Sequence, residues 1–211
     1  MGPKRMPHKK FIKGYLEPII TAILIALFIR AFVVQAFKIP SSSMEPTLLV
    51  GDHILVNKFI YGIRIPYMDI KLFQFKKPQR GDVIVFIFPL DPSKDFIKRV
   101  IGTEGEKVQI VDSKIYINDR LKDDPWGHFQ KPAGLEGYLE RMENFGPVVV
   151  PKDSLFVLGD NRDNSEDSRF WGFLRVNAVL GKAFIIYFSW DHNAESLINM
   201  VRWSRIGKLL H

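Results

Sequence analysis

The chain has 211 residues, 46% of them hydrophobic, which suffices for a real core and suits one medium domain with a small addition. Its formal net charge of +7 is weighted to one end, because Lys4, Arg5, Lys9, Lys10 and Lys13 all precede Gly14; that points to a membrane surface before nucleic acid. The absence of cysteine excludes disulfides, thiolate metal sites and a thiol nucleophile.

Residues 1–14 read as a basic tail. From Leu16 to Phe37 the chain is apolar apart from Glu17, Arg30 and Gln35, close to the roughly twenty residues a helix needs to cross hydrocarbon. Arg30 lies toward the far end, where its side chain can snorkel to the interface. Residues 15–37 are therefore expected to form a transmembrane helix; a buried helix of a soluble domain leaves the basic tail unexplained. A cleaved signal peptide shares the basic start, but the apolar run outlasts an h-region and no small-x-small site closes it. The expectation is an uncleaved signal-anchor with its tail in the cytoplasm and residues 38–211 on the extracytoplasmic face.

Beyond Pro40 the pattern shortens. "DHILVNKF", "DVIVFIF", "FIKRVIG", "KVQIV", "KIYIN", "SLFVLGD" and "GKAFIIYF" are rich in Val, Ile, Phe and Tyr and are separated by turn chemistry such as "KPQRGD", "VDSK" and "VPKDS". They predict a mostly β domain, interrupted at about 105–150 by a less regular, Pro- and Gly-containing insertion. In the closing "SLINMVRWSRIGKLLH", Trp203, Ile206, Leu209 and Leu210 alternate with Arg202, Arg205 and Lys208. This pattern suits either an anionic lipid surface or a solvated terminal helix.

Of the histidines His8, His53, His128, His192 and His211, none stands in an H-E-x-x-H or similar metal spacing. His53, His128 and His192 leave a Ser-His-Asp triad open on sequence alone. A serine can also be activated by a lysine kept neutral by burial, since desolvation disfavours the ammonium. "DFIKRVIG" holds such a lysine: Lys98 shares a strand face with Phe96 and Val100, while Arg99 points the other way with Ile97 and Ile101. The bland alternative is an edge lysine that snorkels. A third motif, "GDNRDNSEDSRFWG", follows an apolar strand. As a calcium loop starting at Asn161 it fails, because Glu166 replaces the needed glycine and Gly172 the final glutamate.

An N-terminal anchor, "IPSSSMEPTL", "RGDVIVF", "DFIKRVIG", "GDNRDNSEDSRFWG" and "WSRIGKLL", in this order, resemble bacterial type I signal peptidase, the membrane-anchored serine protease family that removes signal peptides from exported proteins. The resemblance covers nearly the whole chain and says least about the insertion. It implies a signal-peptidase-like β-rich catalytic domain without metal or organic cofactor. Ser43 then matches the nucleophile and Lys98 its general base. Ser41 matches the hydroxyl that holds the oxyanion with the Ser43 N–H, Ser42 only permits the turn, and Ser165 matches the residue that hydrogen-bonds and orients the lysine. Asp167 and Arg169 match a supporting ion pair, Asp160, Asn161, Arg162, Asp163 and Asn164 a scaffolding turn, and Met44 a cover for the lysine stem. Phe37, Ile39, Pro40, Leu48, Ile54, Val85, Asp95, Phe96 and Ile97 match the walls of shallow substrate pockets. The implied partners are the lipid bilayer and preprotein signal peptides with small residues at −1 and −3, with no nucleic acid, and the implied location is the bacterial cytoplasmic membrane. The rivals are a specialised Ser-Lys peptidase for pilus or conjugation processing, and a non-catalytic, membrane-tethered β module of the envelope.

Overall fold

A computed structural model of the chain describes residues 8–64, 71–72, 75–129, 142–194, 196 and 199–210. The elements run α1 (His8–Phe32), β1 (Val34–Lys38), β2 (Asp52–Asn57), β3 (Ile63–Arg64), β4 (Lys71–Leu72), β5 (Val83–Ile87), β6 (Asp95–Thr103), β7 (Lys107–Val111), β8 (Lys114–Ile117), β9 (Arg120–Leu121), β10 (Phe145–Val149), β11 (Ser154–Leu158), a single helical turn α2 (Ser168–Trp171), β12 (Leu174–Arg175) and β13 (Val179–Ser189). The large antiparallel sheet has the order β1-β2-β13-β5-β6-β11-β12. A second sheet, β10-β7-β8-β9, is made within the segment between β6 and β11, and β3 pairs with β4.

The strands expected from runs rich in Val, Ile, Phe and Tyr between turns appear close to their expected places. In β2 burial alternates through Asp52, Ile54 and Val56, with His53, Leu55 and Asn57 less enclosed, as one covered sheet face requires. β6 departs from alternation: every residue from Ile97 to Gly102 is buried. Ile97 joins one apolar cluster with Ile39, Met44, Leu48, Ile54, Val85 and Ile186. Val100 joins a second with Ile84, Phe86, Val157 and Val179, and Ile101 a third with Val108, Ile115 and Phe156. A strand enclosed on both faces also encloses its polar residues, which is how Lys98 and Arg99 come to be buried.

Two expectations change. The helix expected over 15–37 ends at Phe32: the Val33 N–H makes a last helical bond to the Ile29 carbonyl, and Val34–Lys38 then pairs with β2, Phe37 opposite Ile54. Adjacent Val33 and Val34 suit extended chain better than helix. The closing segment is not a terminal helix either. It forms a 3₁₀ turn at Trp203–Arg205 and a bridge from Leu209 to Ile185, with Leu210 buried in the first cluster. Arg205 donates to both carboxylate oxygens of buried Asp52 and, at 2.9 Å, to the Thr47 carbonyl. Burial works against the Asp52 carboxylate, yet hydrogen bonds from Arg205, Ser189 and the Leu49 N–H hold its pKa below the usual range. The basic C-terminal segment thereby fastens the loop that carries the serine triplet.

Among the described residues no helix is long and apolar enough to cross a membrane; within α1, side chains are described only for Gly14–Arg30 and Phe32. Leu16, Ile19, Ile20, Ile23, Leu24, Ile25, Leu27 and Phe28 stand exposed along it.

Candidate active site

Ser41, Ser42 and Ser43 lie on the loop from β1 to β2. Its neck is closed by the Ile39 N–H bonded to the Asp52 carbonyl at 2.8 Å and the Gly51 N–H to the Ile39 carbonyl at 3.0 Å. Turns follow within it, Glu45 N–H to the Ser42 carbonyl and Leu48 N–H to the Met44 carbonyl, so Met44 and Leu48 drop into the core.

Lys98, near the middle of β6, reaches this loop. Its Nζ lies 2.7 Å from Ser43 Oγ, with Lys98 3% and Ser43 9% exposed. The Phe96 ring lies 5.5 Å from the ammonium. Burial pushes the Lys98 pKa down to about 8, although Asp167, Glu166 and Asp160 pull it upward; Arg169 adds to the lowering. The group at Ser43 Oγ is thus this lysine, where sequence alone also left room for a histidine. Ser41 Oγ sits 3.4 Å from Ser43 Oγ, close enough for both to face one reacting carbonyl.

The turn after β11 holds the loop from behind. The Asn161 N–H donates to the Ser43 carbonyl at 3.1 Å, Asn161 Nδ2 to the Ser42 carbonyl, and Asn164 Nδ2 to Ser42 Oγ at 2.8 Å. Ser42, which the sequence reading left as a turn former, is therefore tethered. A Cβ on Gly159 would come 2.5 Å from the Ser43 carbonyl and 2.2 Å from Ser165 Oγ, so only glycine allows this approach. Asp167 caps α2 at the Arg169 N–H, accepts from the Gly159 N–H and pairs with Arg169 through two bonds. Arg169 also donates to the Arg162 carbonyl at 2.6 Å.

The expected Ser165 bond to the lysine is not made. Ser165 Oγ is buried without a hydrogen-bond partner, as are Asn161 Oδ1 and Asp163 Oδ2; Ser165 lies close against Gly159. Partners that sequence reasoning missed brace the same turn. Arg99 forks onto Asp160 with two bonds of 2.8 Å and donates to the Gly81 carbonyl, while Trp126 covers its guanidinium at 4.5 Å. Arg162 pairs with Asp124 and donates to the Gly159 carbonyl. The His128 N–H donates to the Asp160 carbonyl. The segment Asp124–His128, placed by the sequence in the insertion, so grips the turn that grips Ser43. The one available signal was the arginine in β6, since a guanidinium on an enclosed strand demands a carboxylate.

A groove of about 320 Å³ opens over the pair, lined by Pro40, Ser41, Ser42, Ser43, Asp95, Phe96, Ile97, Lys98, Asn164 and Glu166. Of the expected pocket walls, Pro40, Asp95, Phe96 and Ile97 line it. Ile39, Leu48, Ile54 and Val85 do not; with Met44 they form the closed cluster that Ile97 continues inward, and Phe37 packs against it. They support the groove rather than surface it, because neighbouring core side chains already cover them. Among the described residues no group of three or more His, Asp or Glu side chains could hold a metal ion.

The chain is similar to known proteins along most of its length. The family model described as signal peptidase, peptidase S26, matches residues 12–190. A signal peptidase I of Pseudomonas aeruginosa is 37% identical over 97% of this chain and 81% of its own length. One of Aquifex aeolicus is 36% identical over 79% of this chain and 80% of its own length. A solved signal peptidase I from Enterococcus faecalis is 32% identical, covering 51% of this chain and 97% of that one with a TM-score of 0.41.

Proposed function

The chain belongs to the signal peptidase family, peptidase S26, serine endopeptidases that remove signal peptides, and we propose that it does so with Ser43 as nucleophile and Lys98 as general base. The observation that carries this reading is the buried 2.7 Å contact between Lys98 Nζ and Ser43 Oγ. A lysine with its pKa lowered to about 8 is neutral in a useful fraction near neutral pH. It takes the Ser43 proton as Oγ attacks the carbonyl of the −1 residue. The oxyanion that forms is received by the Ser41 hydroxyl and the Ser43 N–H. Lys98, now protonated, returns the proton to the leaving amine; it then activates the water that hydrolyses the Ser43 ester. No metal or organic cofactor has a step in this sequence.

Substrates are preproteins with small residues at −1 and −3. The groove floor continues into a packed cluster, so a larger side chain meets steric overlap and a charged one unpaid desolvation. Purified chain is expected to cut a preprotein with Ala at both positions, to fail with Phe, Leu or Lys at −1, and to lose all cutting as Ser43→Ala. Efficient cleavage after Phe or Leu would contradict the pocket assignment, and an active Ser43→Ala the mechanism.

Membrane anchoring is part of the same proposal. What supports it is α1 itself, apolar apart from Glu17 and uncovered from Leu16 to Ile29 behind a basic tail, with Ser43 only a short strand beyond its end. The site would then sit at the outer face of the cytoplasmic membrane, where a signal peptide's cut site emerges. Each lysine placed at the middle of a spanning helix costs about 2.5–3.5 kcal/mol of insertion. The double variant Ile20→Lys, Leu24→Lys should therefore lose co-flotation with liposomes while still cutting a soluble peptide; undiminished flotation would defeat the anchor.

A further inference from the structure

Three charged side chains line the groove: Lys98, Asp95 and Glu166. In the working form Lys98 is neutral, so two carboxylates remain with no cation among the lining residues. Neither is matched by an ion pair among the described residues. Asp95, at the start of β6, is pushed upward by partial burial. Glu166 is exposed, and its field reaches both Lys98 and Lys94. The other acidic groups near the lysine, Asp160 and Asp167, are spent on Arg99 and Arg169. The negative charge exposed to substrate therefore sits on the groove wall, at Asp95 and Glu166.

We propose that Glu166, aided by Asp95, is a specificity-determining residue: it makes the groove favour basic side chains beside the cut and disfavour acidic ones. This rests on the assignment of Ser43 and Lys98 as the reacting pair. An extended peptide whose −1 residue enters the groove presents neighbouring side chains to its rim, where Glu166 stands. A lysine or arginine there gains a screened attraction, while an aspartate or glutamate adds a third negative charge to a neutral-lysine site. Attraction and repulsion of this kind in a solvent-open groove together separate a basic from an acidic side chain by a factor of roughly three to ten in rate at low salt and less at high salt. Glu166 also favours the protonated form of Lys98. Removing its charge, with Asp160, Asp167 and Arg169 unchanged, should move the rise of activity to lower pH.

The test uses the full chain in detergent and a peptide with Ala at −1 and −3, in which single residues flanking the cut are set to Lys, Gln or Glu in turn. For the wild type, kcat/KM at the responsive position should be roughly three- to tenfold higher with Lys than with Glu, and the ratio should shrink with added salt. In Glu166→Gln the ratio should approach one and the acid limb of the pH profile should shift downward; in Glu166→Lys the preference should reverse. An unchanged Lys-to-Glu ratio in both variants, or no preference in the wild type, overturns the proposal while leaving the peptidase assignment intact. Failure of the wild type to cut even the Gln peptides, or undiminished cutting by Ser43→Ala, overturns the assignment itself and the proposal with it.

Discussion

Replacing Lys98 by arginine is expected to abolish cleavage, whereas wild-type activity should rise with pH through about 8, the depressed pKa of this lysine. Guanidinium stays protonated at any useful pH and cannot take the Ser43 proton. Turnover by Lys98→Arg at even about a tenth of the wild-type rate would remove the lysine from its assigned role. Stability is linked to the same titration. The fall from 10.5 to about 8 corresponds to roughly 3 kcal/mol between the two protonation states. Because the folded pKa is the lower one, the unfolded chain binds more protons between these values, and stability rises with pH across that window. Below pH 8 the folded protein bears the whole penalty of a buried ammonium. Lys98→Met, inactive, should therefore be more stable than wild type by up to about 3 kcal/mol near pH 6 to 7, with the gain fading as pH approaches 10.5. Denaturant titrations at several pH values measure it. A gain independent of pH would mean that packing rather than charge accounts for the difference.

The same lysine shows what the sequence made legible. Alternation along "DFIKRVIG" put Lys98 and Arg99 on opposite faces of one apolar strand, and burial of both follows from clusters on either side of β6. Runs rich in Val, Ile, Phe and Tyr between turn signals located β2, β5, β6, β7, β8, β11 and β13, because these residues are the ones a sheet buries. β1 was hidden at the end of an apolar run, where hydrophobicity alone does not separate helix from strand. β10, "FGPVV", was hidden by its Gly-Pro, although the Phe145, Val148 and Val149 positions pair with β7. In the site, residue types were legible and partners were not. Nothing in the spacing tells that Asn164 tethers Ser42 or that Arg205 reaches Asp52; such pairs meet only through the sheet order. Ser165 was expected to bond the lysine, yet its buried hydroxyl has no hydrogen-bond partner.

Breaking the Arg99–Asp160 pair should have the largest effect on stability. Both side chains are fully buried, and their two bonds of 2.8 Å join β6, one residue past Lys98, to the turn whose Asn161 N–H holds the Ser43 carbonyl. Asp160→Ala leaves a guanidinium in the interior without its carboxylate, although the Gly81 carbonyl and the Trp126 face remain beside it. Removing one partner of a buried pair costs about 3–5 kcal/mol, because the stranded charge keeps its desolvation penalty. Arg99→Met in the same chain removes that charge, so the double variant should recover a good part of the loss and show strong coupling in a double-mutant cycle. Activity should recover less than stability. The double variant lacks the fork that sets β6 against the turn, and a displacement of about 1 Å between Lys98 and Ser43 is enough to slow the proton transfer severely. Unfolding free energies and kcat for the four proteins test this. A cost below about 1 kcal/mol for Asp160→Ala, or full recovery of kcat in the double variant, would show that the pair neither holds the fold nor aligns the site.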